Sequence, residues 1–189
     1  MPKAATSKRT RLIQTAVKLS FRNGFNSTSL ADISREAEVP LGNVYYYFKT
    51  KNDLGEAIIE ERLTKLKSVL QHWGKAESPA ERLCTFVHRA FERRESITRS
   101  GCPIGTLCSE LRKEGGELSK KASRLFAEQL SWLEAQFRES GKTDDSRGAA
   151  IHLLAAIQGA TVLANSLQDS DFVAIETERL KKWIRELCG

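Results

Sequence analysis

Apolar positions recur along most of the chain at steps of three and four residues, the spacing of one face of an α-helix. In "RLIQTAVKLSFRNGF" the residues Leu12, Ile13, Ala16, Val17, Leu19 and Ser20 form such a stripe, and Gly24 ends it. "NSTSLADISREA" begins with turn-forming polar residues. Ser29 and Asp32 have the spacing of a capping box, and Leu30, Ile33 and Ala37 are the inward stripe of a short second helix. "EVPL" reads as a tight turn. Pro40 suits the first turn of a third helix, because its missing N–H would be unpaired there anyway. That helix runs from Gly42 to Phe48, with Val44 and Phe48 one turn apart and facing the core. Thr50 and Asp53 repeat the capping-box spacing and open a long helix over residues 50–73. A break over residues 74–79 precedes five more helical segments joined by short connections. No strand pattern and no internal repeat interrupts them. The predicted architecture is all-α with about nine helices: a three-helix domain over residues 1–54 and a helical domain over residues 55–189.

The third helix poses a chemical question. "GNVYYYFKTKNDL" strings three tyrosines and a phenylalanine before Lys49 and Lys51. If Val44 and Phe48 face inward, Asn43, Tyr45, Tyr46 and Tyr47 cannot all be buried with them. Rings and positive charge then share one surface. Two short helices joined by a four-residue turn, the second aromatic and flanked by lysine, is the helix-turn-helix layout. A tyrosine ring can touch a thymine methyl, its hydroxyl can reach a phosphate, and Asn43 can read a base edge. Lys51 and the free amides at the start of the long helix fall beside the phosphate backbone. The charge distribution agrees. Residues 1–54 carry nine Lys/Arg against four Asp/Glu, whereas the remainder carries 21 against 20. Lys3, Lys8, Arg9 and Arg11 supply four of those nine. The field of an anionic polymer is therefore met by the first third alone.

These residues resemble the DNA-binding domain of the tetracycline-repressor (TetR) family of bacterial transcriptional regulators. The resemblance runs from about Thr10 to Leu63 and is carried by "ADISREAEVPLGNVYYYFKTKNDL". It implies dimeric, ligand-released repression of a promoter. It further implies that Thr28 and Ser29 meet phosphate, that Pro40, Leu41, Gly42 and Asn43 sit at the groove floor, that Tyr45 touches bases, and that Tyr46, Tyr47 and Lys51 hold the backbone. Two positions depart from the family pattern. Glu38 stands where many members have glycine, which requires the turn to accept a left-handed glutamate. Leu41 stands where a polar or basic residue is frequent. Leu30 and Ala31 likewise offer no hydrogen bond, so readout leans on apolar and backbone contacts.

In the second domain, residues 147–167 are apolar and small: Ala149, Ala150, Ala155, Ala156, Gly159, Ala160 and Ala164. A helix apolar nearly all round must be covered on several sides. With Phe172, Ile175, Leu180, Trp183, Ile184 and Leu187 of the last helix, it can form half of a four-helix homodimer interface, which is also where the family dimerises. Dimerisation has its own motive, since helix-turn-helix proteins read half-sites one DNA turn apart. "GCPIGTLCSEL" is similar to a segment that forms the sixth helix beside the ligand cavity in one branch of the family. Candidate residues lining an effector site are Leu66, Leu70 and Trp73; Phe86 and Phe91; Ile104, Leu107, Cys108 and Leu111; Phe126, Leu130, Leu133 and Phe137; and Gln158 with Thr161. Such a lining predicts a mostly apolar or aromatic small molecule.

Cys102, near a helix start, is a candidate for a reactive thiolate, with Cys108 six residues on. A cysteine-based redox or electrophile sensor is the alternative to a ligand-released repressor. His72, His88 and His152 fall in different helices without a second ligand at metal spacing, so no metal or other cofactor is expected. No nucleophile elbow, phosphate loop or carboxylate pair suggests an enzyme. Four cysteines are too few for a secreted disulfide scaffold, and no apolar h-region follows the basic N-terminus. No membrane span is expected, because His152, Gln158 and Asn165 interrupt the longest apolar run. The expected setting is cytoplasmic. The expected partners are double-stranded operator DNA, a small-molecule effector and a second copy of the chain.

Overall fold

A computed structural model of the chain describes residues 7–141 and 143–189; Lys3 lies outside them. Among the described residues there are ten helices and no strand. They are α1 (Lys8–Asn23), α2 (Leu30–Glu36), α3 (Leu41–Tyr47), α4 (Lys51–Trp73), α5 (Pro79–Glu92), α6 (Arg94–Ser100), α7 (Gly105–Glu114), α8 (Gly116–Ser140), α9 (Ser146–Leu167) and α10 (Asp171–Cys188). The chain forms two compact units. The first takes Met1–Thr64 and Thr106–Ser123, and the second takes Lys65–Gly105 and Arg124–Gly189. The all-α class expected from the periodicity is what the structure shows.

In the first unit α2 packs on both α1 and α3. Its buried residues include Leu12, Ala16 and Leu19 from α1, Ile33 from α2, Val44 from α3, Leu54, Ile58, Ile59 and Leu63 from α4, and Leu107 and Leu111 from α7. Both expected capping boxes form. At α2 the Ser29 hydroxyl accepts the Asp32 amide at 3.1 Å, while the Asp32 carboxylate accepts the Ser29 amide, also at 3.1 Å. At α4 the Asp53 amide donates to Thr50 Oγ1 at 3.1 Å, and Asp53 Oδ2 accepts the Thr50 amide at 3.0 Å. The Ser29 hydroxyl and amide hold the Asp32 carboxyl below the usual carboxylate range. A depressed folded pKa adds stability above the unfolded pKa, and that stability is lost as pH falls through the folded value. The α2 cap is therefore intact at neutral pH and weakens in acid.

The turn into α3 contains the strained glutamate expected from the sequence. Glu38 has φ +52°. It is held there by its neighbours: its amide donates to Arg35 O at 3.2 Å, and its carbonyl accepts from Arg11 Nη2 at 3.0 Å. Ser34 then donates to Val39 O at 2.7 Å. Pro40 is the N-cap of α3 and not a first-turn residue. Its carbonyl already accepts the amides of Asn43 and Val44, so the helix starts at Leu41.

The second unit buries Leu83 and Val87 of α5, Leu133 and Phe137 of α8, Leu153 and Ile157 of α9, and Leu180 and Ile184 of α10 in one cluster. Residues 79–96 read as one helix in the sequence, yet the structure divides them at Arg93. There the Arg93 amide donates to Ala90 O, three residues back, and a fresh helical turn starts from the Arg93 carbonyl. The apolar stripe continues across the break through Ala90 and Ile97, which is why periodicity did not reveal it. The end of α6 is tied to α9, since Asn165 and Gln168 both donate to the Thr98 carbonyl at 2.9 Å.

A left-handed residue with a Cβ costs about 1–2 kcal/mol, whereas glycine is at ease there but loses more entropy on folding. Glu38→Gly is therefore expected to stabilise the chain by roughly 0.5–1 kcal/mol and raise Tm by about 1–4 °C. Thermal unfolding checks this; a fall in Tm would refute the strain argument.

Candidate nucleic-acid interface

The direction of the aromatic run follows from two buried side chains. Val44 is fully buried and Phe48 is 2% exposed, so α3 is pinned on one side. The remaining faces point outward: Tyr45 is 49% exposed and Tyr46 is 75% exposed, with Tyr47 and Leu41 beside them. Tyr46 and Tyr47 meet edge to face, their ring centres 5.1 Å apart. Gly42 is exposed, and a Cβ built there would meet nothing within 4 Å. Pro40 is exposed and Asn43 half-buried. The structure thus brings Pro40, Leu41, Gly42, Asn43 and the three tyrosines together on one short outward helix.

Three other candidates behave differently from one another. Ser29 is exposed at the start of α2, but its hydroxyl also donates to Asp32 at 2.6 Å. Thr28 is a correction. It is buried, and its hydroxyl donates inward to Gly24 O at 2.7 Å, so its side chain is committed to packing the turn and does not face a phosphate. Lys51 is half-buried. Its ammonium donates to Asn26 O at 2.7 Å and lies 5.0 Å from the centre of the Phe25 ring. Its charge remains near the surface, but it braces the α1–α2 turn as well. Lys49 and Arg35 remain exposed cations of this unit, as does Lys18, which pairs with Glu36 at 2.8 Å.

The residues expected to line an effector site divide between the units. Leu107, Cys108 and Leu111 belong to the first unit, where Leu107 and Leu111 are buried and the Cys108 thiol donates to Ala122 O at 3.3 Å. The others belong to the second. There Phe137 and Leu133 are core residues without exposed surface, and Phe126, Leu130 and Phe86 pack against that core. Leu70 and Thr161 are buried; the Thr161 hydroxyl donates to Gln158 O at 2.8 Å. Leu66, Phe91 and Ile104 are half-buried. Phe137 and Leu133 are therefore corrected from lining to core, because α5, α8, α9 and α10 close over them. Trp73, Phe86 and Trp132 form an aromatic cluster with ring centres 6.1–6.4 Å apart. Beside it an open groove of about 490 Å³ runs between α4 and α5. Trp73 is the one expected residue on its lining, joined by His72, His88, Arg89 and Glu92.

Cys102 is half-buried, and its sulfur accepts the Gly105 amide at 3.4 Å at the start of α7. Burial and then Arg89 lower the pKa of Arg93, and the charge of a Cys102 thiolate would oppose them. None of the four cysteines forms a disulfide. No group of three or more His, Cys, Asp or Glu side chains among the described residues could hold a metal ion.

A short outward helix rich in tyrosine, set behind a capped helix and a tight turn, defines a helix-turn-helix DNA-binding protein. Comparison with known proteins gives the family. Residues 12–58 match the model of the bacterial regulatory proteins of the tetR family, and residues 79–178 match that of the LmrA/YxaF-like transcriptional regulator C-terminal domain. The chain belongs to the TetR family of transcriptional regulators. It is 25% identical over 181 residues to an uncharacterized HTH-type transcriptional regulator in the lacX 3′ region of Lactococcus lactis, covering 90% of each chain. It is 24% identical over 165 residues to the HTH-type transcriptional repressor DhaR of Mycobacterium sp. strain GP1, covering 83% of this chain and 82% of that one. A TetR transcriptional regulator from Legionella pneumophila shares the fold with a TM-score of 0.85 at 21% identity, each chain covered in full.

The helix pinned by Phe48 makes neighbouring aromatics unequal. Phe48→Ala is expected to destabilise by about 3–5 kcal/mol, while Tyr46→Ala stays within about 0.5 kcal/mol of the parent. Urea unfolding of both variants checks the orientation of α3; similar losses in the two would reverse it.

Proposed function

We propose that the protein is a dimeric repressor that binds a palindromic operator and is released by a small, mostly apolar effector. The outward tyrosines of α3 carry this reading. They offer ring faces and hydroxyls to a groove, on an element whose register the core fixes. Tyr45 touches bases, Tyr46 and Tyr47 hold the backbone, and Ser29 and Lys51 sit where the phosphates run.

The case for a homodimer rests on α9 and α10. One face of α9 is core, yet Ile151, Val162, Leu163 and Leu167 are exposed, with Ala155 and Gly159 exposed between them. Val162 is 62% exposed, and Ile175 of α10 is 60% exposed. Alone among the described helices, α9 is long and apolar enough to cross a membrane, but its buried face belongs to the core of the second unit. An uncovered apolar stripe of this kind suits a second copy of the chain. The effector reading rests on the Trp73–Phe86–Trp132 cluster and the groove beside it. An aromatic or apolar molecule bound there releases DNA if it favours a conformer whose recognition helices are wrongly spaced for adjacent major grooves. A repressor of chromosomal operators works in the bacterial cytoplasm.

One observation favours a second reading, an electrophile-responsive repressor. Cys102 takes a helix-start N–H on its sulfur, whereas Cys108 donates to a carbonyl. If thiol chemistry releases DNA, Cys102 is the responsive residue.

Fluorescence anisotropy with promoter DNA from beside the protein's own gene tests the first reading. Tyr45→Ala is expected to reduce the preference for that DNA over random duplex about tenfold. Val162→Asp is expected to yield monomers and weaken binding at least as much. Wild-type affinity and preference in both variants would sink the proposal. For the second reading, the DNA complex is treated with N-ethylmaleimide. Release from wild type and Cys108→Ser but not from Cys102→Ser supports it; equal behaviour of all three removes it.

A further inference from the structure

One residue of the α1–α2 turn, Asn26, is clasped through both its backbone N–H and its C=O, which belong to the two successive peptide groups flanking its Cα. The Asn26 amide donates to Glu110 Oε2 on α7 at 2.9 Å. The Asn26 carbonyl accepts from Lys51 Nζ, at the start of α4, at 2.7 Å. All three residues belong to the first unit. The turn is shaped to receive the carboxylate. Gly24 has φ +88°, and a Cβ built on it would come within 3.1–3.2 Å of both Glu110 oxygens. Glycine is thus required there for its backbone conformation, and it leaves the room that Glu110 fills.

The apolar side of the same turn is equally close-fitting. Phe25 is buried, and a Cβ on Gly55 of α4 would lie 2.8 Å from Leu118 Cδ2 of α8 and 3.0 Å from Phe25 Cζ. Phe25, Gly55 and Leu118 therefore meet without space for a methyl group. Beyond Asn26 the chain is tied again at Thr28 and Ser29, directly before α2. The Thr28 amide donates to Phe25 O, the Thr28 hydroxyl donates to Gly24 O, and Ser29 is already the cap of α2. A displacement at Asn26 moves the start of α2, and α3 packs on α2.

We propose that Glu110 is a positioning residue for DNA reading: by accepting the Asn26 N–H it fixes the α1–α2 turn to α7 and so sets where α2 and α3 present themselves. Lys51 completes the clasp by holding the carbonyl of the next peptide group, on the other side of the Asn26 Cα. Its side chain acts through the turn in addition to its charge. Movement of α7 relative to α4 is then transmitted to α2 through the hydrogen-bonded backbone of one residue, Asn26. The inference rests on the reading of α2 and α3 as the DNA-binding elements.

The test uses the full-length chain and duplexes that wild type selects from a random-sequence pool. Wild type, Glu110→Ala and Glu110→Gln are compared by anisotropy at 25 °C, with amide hydrogen exchange at Asn26 measured on the free proteins. Glu110→Ala is expected to speed exchange at Asn26 and weaken binding about fivefold to tenfold, the size of one ordinary hydrogen bond lost at an exposed site. Glu110→Gln, which keeps an acceptor oxygen, is expected to bind within about twofold of wild type. A stabilising role alone would lower Tm and leave affinity unchanged. Wild-type affinity in Glu110→Ala despite faster exchange overturns the proposal, as does unchanged exchange or a loss in Glu110→Gln equal to that in Glu110→Ala. If wild type selects no sequence at all, the DNA-binding reading falls first, and the inference with it.

Discussion

The burial of Val44 and Phe48 is the constraint on which the proposed DNA-binding surface depends. They stand one helical turn apart and occupy the core among residues from α1, α2 and α4. Once both are inside, a seven-residue helix has no further rotational choice, and Tyr45, Tyr46 and Tyr47 must take the other faces. A helix this short is not stable by propensity; its tertiary contacts hold it. The same two contacts therefore make the helix and aim it. Arg9, lying 5.6 Å from the Phe48 ring centre, extends the arrangement to α1 and keeps a cation near the surface.

The segments between these helices are held by individually named groups, because no regular ladder serves them. Each turn residue brings a donor and an acceptor that need partners. Glu38 is kept in a left-handed conformation by Arg35 and Arg11, and its strain allows α3 to leave α2 at once. Asn26 is kept by Glu110 and Lys51. The two turns solve the problem differently. The turn into α3 closes mostly on its own neighbours, while the turn into α2 borrows a carboxylate 84 residues away.

That difference explains what the sequence disclosed. Capping boxes, the two-residue inward face of α3 and the left-handed Glu38 are local patterns, and each is visible in a few consecutive letters. The identity of the family was legible for the same reason, since its signature lies around α2 and α3. Glu110 was not legible: nothing in "GTLCSELRKE" distinguishes it from a solvated helix carboxylate until the fold brings it to Asn26. The effector residues failed to assemble from the sequence for another physical reason. A period of 3.6 identifies an apolar face but does not say whether that face meets a void or another helix. Phe137 and Leu133 have the pattern of lining residues and lie in a closed core. The groove that does exist carries His72, His88 and Arg89, residues whose polarity kept them off an apolar list.

The clasp at Asn26 also suits the proposed effector release in its strength. Its two hydrogen bonds are exposed to water, so each is worth far less than an internal link would be. Coupling between an effector and DNA usually amounts to about 1–3 kcal/mol. A head welded to the rest of the chain by buried contacts would resist a ligand of ordinary affinity, and a head with no contact would ignore it. One residue, held at its N–H by a carboxylate and at its C=O by an ammonium, lies between these limits. It is strong enough to hold the start of α2 in register when α7 and α4 keep their places. It is also weak enough that moving either helix exchanges a protein partner for water at small cost. The tight apolar contact of Phe25 with Gly55 and Leu118 limits how far the turn can travel.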